Sequence, residues 1–197
     1  MEDIVRTLET RGFLAALTDP EMQKVFREKA VTLYAGFDPT APSLHVGNLI
    51  IIMGLAQFQR HGHSPLVVVG GGTGLIGDPS GKTKERQLLS EDELHTNLQG
   101  IRKQLERFLD FSPSLSSPAR ILNNAEWLLE FKFVDFLRDV GKHFRLGEML
   151  AKESVKLRLN SDEGMSFTEF CYQLLQAYDF LHLFEQFGCT LQVGGSD

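Results

Sequence analysis

The sequence predicts an α/β protein built on a doubly wound parallel sheet, and three observations carry that expectation. Residues 31–37 (VTLYAGF) read as a strand that ends in a sharp, proline-bearing loop. A helix pattern follows, apolar from Leu49 through Leu55. Residues 65–69 (PLVVV) then form the continuous apolar run of a strand buried on both faces. Strand, helix and strand at this spacing make a βαβ unit, whose two strands lie parallel.

Composition bounds the rest. A chain of 197 residues makes one domain, with room for a subdomain, and can bury a substantial core. With 42% hydrophobic and 23% charged residues it reads as soluble and globular. The apolar run near Leu49 is far too short to span a bilayer, so no membrane partner is expected. The start, Met-Glu-Asp, has neither an apolar secretory core nor an Arg-rich, acid-poor transit stretch, and a cytoplasmic location is expected. Cys171 and Cys189 suggest free thiols rather than a disulfide framework or a metal site. The net charge of -6 argues against wrapping nucleic acid over the whole surface, while permitting a local basic strip.

Residues 3–17 have helical spacing (Ile4, Val5, Leu8, Phe13, Leu14, Leu17), and a second short helix starts at Asp19-Pro20. Both read as packing elements. The stretch YAGFDPTAPSLHVGN, residues 34–48, is different. Pro39 and Pro42 fix φ within the loop. His45, Gly47 and Asn48 fall in the first helical turn, where free backbone N–H groups and the positive dipole end favour an anion. Gly47 lets a ring or a phosphate approach the backbone, and Thr40 and His45 can donate to phosphate oxygens. Nucleotide binding is the expectation; the plainer alternative is a capping histidine with a close helix contact at Gly47. The helix stops near His61-Gly62.

The second strand runs into GGGTGLIGDPSGKT. Residues 72–77 match G-x-G-x-x-G, but Asp78-Pro79-Ser80-Gly81 spells a turn where that motif opens a helix. Gly81-Lys82-Thr83 resembles the end of a phosphate loop, yet Ile76 occupies the position that needs glycine. Neither motif holds. What remains is a glycine-rich backbone near a ligand at the carboxyl end of a strand. Asp78 could hold a substrate ammonium group or simply form the turn.

Ser90 and Glu93 make a capping box for a helix with Leu94, Leu98, Ile101, Leu105 and Phe108 along its core stripe. No function is expected of its other face. Residues 112–118 form a Ser/Pro connection, the clearest internal boundary. A short strand at Ile121-Leu122 precedes helical material around Trp127 and over residues 134–140. Lys142, His143, Arg145, Lys152, Lys156 and Arg158 interleave with apolar residues, as on a solvated face or on a subunit interface with a cationic edge. Ser166 and Glu169 cap a last long helix that ends at Gly188. On it Tyr172, Gln176 and Asp179 share one arc of about 60°. By periodicity this arc is solvated, opposite Phe170, Leu174, Leu181 and Phe184, unless it is turned into a crevice. A strand over residues 189–193 leads into Gly194-Gly195-Ser196-Asp197, with Asp197 placed for a ribose hydroxyl.

YAGFDPTAPSLHVGN, GGGTGLIGDPSGK, DVGKHFRLGEMLAKESVKLRL and MSFTEFCYQLLQAYDF with LQVGGSD, in that order, resemble the tyrosyl-tRNA synthetases of bacterial or organellar type over nearly the whole chain. The resemblance implies a class I synthetase with a Rossmann-like catalytic domain over residues 1–197, incomplete on its carboxyl side. Residues from about 115 to 165 would be a helical connective and dimerisation region. The lysine-rich KMSKS loop and the anticodon-binding domain would lie outside the chain, and an isolated chain of this extent should activate tyrosine very poorly.

By the same resemblance Tyr34 and Asp179 bind the substrate phenol, and Asp78, Tyr172 and Gln176 its ammonium group. Gln192 and Asp38 lie by the carboxylate and the reacting centre. Thr40, His45 and Asn48 are the catalytic set at the departing pyrophosphate, and Gly36, Gly47, Asn48, Gly195 and Asp197 line the adenosine. ATP is a substrate with Mg²⁺ on its phosphates, and no tightly bound cofactor is implied. L-tyrosine, tRNA(Tyr) and a second copy of the chain are the implied partners. The homodimer would form around the region from Lys142 to Arg158 and the Phe167 end of the last helix, with Trp127, Lys152 and Glu153 near the tRNA acceptor end. No general base is needed, because the tyrosine carboxylate is already a nucleophile. Rate comes from alignment and from donors at the leaving group. A substrate without the hydroxyl would leave Tyr34 and Asp179 unpaired, and the family itself is the usual illustration of that discrimination.

Two positions depart from the family pattern: Asn48 stands where histidine is commoner, and Ala35 where cysteine is frequent. Three rivals remain. A tryptophanyl-tRNA synthetase shares the architecture but not the Tyr34 and Asp179 pair. Other nucleotidylyltransferases share the His-x-Gly turn but need no Tyr172, Gln176, Asp179 stripe. A dimerising ligand-binding module is the third.

Overall fold

The computed structural model describes residues 3–78, 90–162 and 164–195. Helix α1 (Ile4–Thr10) starts where the Asp3 carboxylate accepts from Val5 and Arg6 N–H. It is shorter than the spacing predicts, because Gly12 takes φ 71° and turns the chain. Phe13, Leu14 and Leu17 still pack on the core, from outside a helix. Helix α2 (Met22–Glu28) leads to strand β1 (Thr32–Phe37), helix α3 (Val46–Arg60) and strand β2 (Ser64–Val69). After a 3₁₀ turn over Thr73–Leu75 come α4 (Glu91–Leu105), β3 (Arg120–Asn123), α5 (Ala125–Leu128), α6 (Phe133–Asp139), α7 (Leu146–Leu150) and α8 (Glu153–Leu159). Helix α9 (Phe167–Phe187) ends at Gly188, left-handed at φ 61°, and strand β4 (Cys189–Gln192) follows.

Among the described residues the four strands pair in parallel, in the order β3-β2-β1-β4. The α/β doubly wound expectation therefore holds. Leu33, Ala35, Phe37, Val67 and Val69 pack with α1, α3 and Ile101 and Leu105 of α4. On the opposite face Tyr34, Leu66 and Val68 meet Trp127 and Leu128 of α5 and Leu183 of α9. The apolar run of β2 is buried from both sides, as a parallel strand requires.

Arg158 departs from the basic surface strip. Its guanidinium forms a two-pronged pair with Glu169, at 3.0 and 2.8 Å, with both side chains only 4% exposed. The pair ties α8 to the start of α9. Cys171 and Cys189 are free thiols. Among the described residues no helix is long and apolar enough to cross a membrane.

Candidate active site

Strand order reverses between β1 and β4, and open α/β sheets bind ligands in the crevice beyond the carboxyl ends of strands at such a switch. Tyr34 of β1 stands in register with Gln192 of β4, so the two side chains share one face of the sheet. Gly36 follows on that face, exposed, and an added Cβ there would meet nothing within 4 Å. The sheet face at the switch point is therefore open over Gly36 and covered over Tyr34.

Tyr34 is 3% exposed, and its hydroxyl has no hydrogen-bond partner among the described residues. Its ring stands edge-on to Phe180, with centroids 5.0 Å apart. Burial pushes the phenol's pKa well above its usual value, and the nearby Asp179 charge raises it further. Asp179 is 4% exposed. Burial raises its pKa to about 6, against the opposing effect of two donors. Those donors are Trp127 Nε1–H to Oδ1 at 2.7 Å and Asn124 Nδ2–H to Oδ2 at 3.0 Å. A carboxylate offers about four lone-pair directions, so two donors leave it capacity for a hydroxyl. Asn124 also donates to Thr73 Oγ1 at 2.9 Å and accepts from Gly72 N–H at 2.8 Å.

This arrangement corrects two expectations. The Tyr172, Gln176, Asp179 arc is not a uniformly solvated face: Tyr172 and Asp179 are buried, and Gln176 alone is exposed. Conversely Leu181 and Phe184, expected in the core, are 48% and 57% exposed. Periodicity registers side-chain polarity, whereas the buried side of α9 is set by where α5 offers donors to Asp179. Trp127, expected near a tRNA end, is 7% exposed and directs its indole N–H to Asp179. Lys152 and Glu153 are exposed, as a surface role requires.

The loop after β1 is exposed at Thr40 and half-buried at Asp38. His45 is the N-cap of α3: its Nδ1 accepts from Gly47 N–H at 3.1 Å, and Asn48 Oδ1 accepts from His45 N–H at 3.1 Å. The capping alternative is thus realised, and it shapes the nucleotide expectation. With Nδ1 an acceptor, the neutral ring carries its proton on Nε2. The Asn48 amide likewise spends its oxygen on the cap and keeps its NH₂. Both signature side chains are left with donors, suited to phosphate oxygens. Gly47 is needed by the histidine itself, since a Cβ there would lie 2.9 Å from His45 Cε1.

Helix α4 supports this loop from the face that its core stripe leaves free. Asn97 Nδ2–H donates to Pro39 O at 2.8 Å, and Leu44 N–H donates to Gln104 Oε1 at 2.8 Å. Between them Gly100 lies against the Pro42 backbone so closely that a Cβ would overlap it. The signal available was an Asn, Gly, Gln stripe at helical spacing, 97, 100 and 104. Asn124 carries no motif of its own; its one trace in the sequence is an asparagine pair where β3 ends.

No α-helix opens at residues 72–77; the chain makes a 3₁₀ turn, in line with rejecting the dinucleotide motif. The glycines there admit neighbours: an added Cβ would strike Thr73 and Asp38 at Gly70, Asn123 at Gly71 and Leu128 at Gly72. Asp78 ends this segment half-buried, Gly195 is exposed beyond β4, and Asp197 lies outside the described residues, as do Gly81, Lys82 and Thr83.

Beside this parallel sheet lie a donor-rich helix start and a buried phenol with a carboxylate nearby, and the sequence itself matches a family model. It is described as tRNA synthetases class I (W and Y), and it covers residues 27–197. The chain belongs to this family of class I synthetases. Within it the named relatives are tyrosine enzymes. The tyrosine--tRNA ligase of Protochlamydia amoebophila is 59% identical over 100% of this chain and 46% of that protein. That of Roseiflexus castenholzii is 55% identical over 100% of this chain and 46% of that protein. The chain spans less than half the length of these curated relatives. Among solved structures, a C-terminally truncated Aspergillus nidulans mitochondrial tyrosyl-tRNA synthetase superposes with a TM-score of 0.89 at 34% identity, covering 100% of this chain and 58% of that one. The Archaeoglobus fulgidus tyrosyl-tRNA synthetase complexed with L-tyrosine shares the fold, with a TM-score of 0.63 at 19% identity over 98% of this chain and 55% of that one.

Proposed function

We propose that the chain carries the amino-acid pocket and part of the ATP site of a tyrosine--tRNA ligase, which joins L-tyrosine to ATP and passes the tyrosyl group to tRNA(Tyr). The observation that carries this reading is the buried, unpartnered Tyr34 hydroxyl beside an Asp179 carboxylate held by Trp127 and Asn124. A substrate phenol satisfies both groups: it accepts from Tyr34 and donates to Asp179. A tryptophan indole N–H donates only, and so leaves Tyr34 unmatched.

In the first step a tyrosine carboxylate oxygen attacks the α-phosphorus of ATP. The bond to the bridging oxygen breaks, and pyrophosphate leaves with the electron pair. Asp78, Tyr172 and Gln176 hold the ammonium group, and Gln192 and Asp38 flank the carboxylate. Thr40, the His45 Nε2–H and the Asn48 amide donate to oxygens where negative charge grows. Gly36, Gly47 and Gly195 keep backbone close to the adenosine, with Asp197 on its ribose. Mg²⁺ belongs on the phosphates, since that ion keeps water and phosphate ligands and needs no all-protein cage. No cluster of three metal-ligating side chains is found among the described residues.

Residues 1–197 form the amino-terminal half of the catalytic machinery in this reading, with residues from about 115 to 165 as its connective region; the KMSKS loop and anticodon-binding domain belong to sequence outside them. Exposed Phe133, Val134, Leu146, Leu157 and Phe167 support a homodimer, because large apolar side chains on this part of the chain would be covered by a second copy. The site of action is the cytoplasm. Competition between L-tyrosine and L-tryptophan in calorimetry, alongside tyrosine-dependent ATP–pyrophosphate exchange by the protein at its natural length, tests the reading. Preferential binding of tryptophan would overturn it.

A further inference from the structure

Helix α9 grips Trp127 in two directions. Asp179 accepts from the indole N–H within the ring plane, at 2.7 Å. One turn further along, His182 lies flat on the ring, with centroids 4.3 Å apart and planes 15° apart. A hydrogen bond fixes an indole along its N–H direction only. Rocking of the ring about its side-chain torsion would still swing Nε1–H off line, and such bonds weaken steeply with angle. A flat partner on the ring face opposes that rocking. His182 is itself braced, with Tyr178 at 6.3 Å and Phe187 at 6.4 Å between centroids, and Tyr178 is in turn held edge-on by Phe131 at 4.8 Å. Burial favours the neutral imidazole, with the Glu185 charge acting the other way.

We propose that His182 is a positioning residue for recognition of the substrate hydroxyl: by stacking on Trp127 it keeps the indole N–H on Asp179, and so keeps that carboxylate aimed at the phenol. The inference rests on Tyr34 and Asp179 being the phenol site. His182 touches no substrate. Its effect passes through Trp127, so it needs a planar ring rather than a titrating one.

The test is calorimetric binding of L-tyrosine and of ATP to the protein at its natural length, comparing wild type with His182→Leu, His182→Met and His182→Phe, each alone and with Trp127→Phe. Leucine and methionine fill the space without a flat face and should weaken tyrosine binding about three- to tenfold. Phenylalanine restores the flat face and should return the affinity to within about twofold of wild type. ATP affinity should not move. In the Trp127→Phe background, with no N–H left to aim, His182→Leu should add no further loss. Wild-type affinity in His182→Leu and His182→Met, or an undiminished loss on the Trp127→Phe background, overturns the inference. Failure of the wild-type protein to bind tyrosine strikes instead at the phenol-site reading, so the two failures are distinguishable.

Discussion

Asn124 joins Asp179 to the glycine-rich turn: its Nδ2–H reaches Asp179 Oδ2 at 3.0 Å while its Oδ1 accepts from Gly72 N–H at 2.8 Å. Nearly fully buried, its side chain is the common partner of α9 and the turn. Asn124→Leu therefore strands one carboxylate oxygen, Asp179 Oδ2, and a backbone donor away from water. The expected cost is about 1–3 kcal/mol in urea denaturation, with weakened tyrosine binding in calorimetry. Unchanged binding would detach Asn124 from the site.

Asp179 gives a pH signature. Its folded pKa of about 6 lies above the unfolded 3.8, so between those values the folded state holds the proton more tightly. Its contribution to stability is thus greatest below pH 4 and falls as pH rises towards 6, by on the order of 3 kcal/mol in all. Against Asp179→Asn, wild-type stability should fall by that amount between pH 4 and 7, read by chemical denaturation at each pH. Tyrosine binding should run the opposite way, weakening below about pH 6 as the carboxylate protonates. Asp179's own contribution to stability is thus greatest where tyrosine binding should be weakest.

Gly47→Ala isolates the nucleotide end. A Cβ at Gly47 would sit 2.9 Å from His45 Cε1 and displace the capping ring. ATP affinity should fall at least about tenfold in equilibrium binding, given the loss of a charge-assisted donor, with tyrosine affinity retained. Equal loss of both would show that α3 itself had shifted.

The Arg158 and Glu169 pair separates structure from chemistry. Arg158→Leu leaves a buried carboxylate unpaired and should cost about 3–5 kcal/mol in denaturation, whereas the Arg158→Leu, Glu169→Leu double variant should recover most of it. A single variant as stable as wild type would contradict the burial of the pair.

Some of this was legible in the residues. The β1–α3–β2 unit follows from two apolar runs and a loop, and the Ser90 and Glu93 capping box forms as its spacing implies. Gly188 ends α9 in the left-handed conformation that glycine accommodates best. The residues of the candidate site were legible at its edges: His45, Gly47 and Asn48 sit at the start of α3, and Tyr34 lies buried with the Asp179 charge nearby. What periodicity cannot carry is satisfaction of buried polar groups. Asp179 reads as a solvated residue because its donors, Asn124 and Trp127, come from another element more than fifty residues away. The same holds for α4, whose Asn97 and Gln104 look solvated until the loop they support is folded against them. Arg158 likewise reads as surface charge until Glu169 is opposite it.

The central claim is that Tyr34 and Asp179 together recognise a phenol. Calorimetric titration of wild type and Tyr34→Phe with L-tyrosine and L-phenylalanine tests it most directly. Tyr34→Phe should weaken tyrosine binding while leaving phenylalanine binding equal or improved, narrowing the preference for tyrosine. An undiminished preference in Tyr34→Phe would contradict the account.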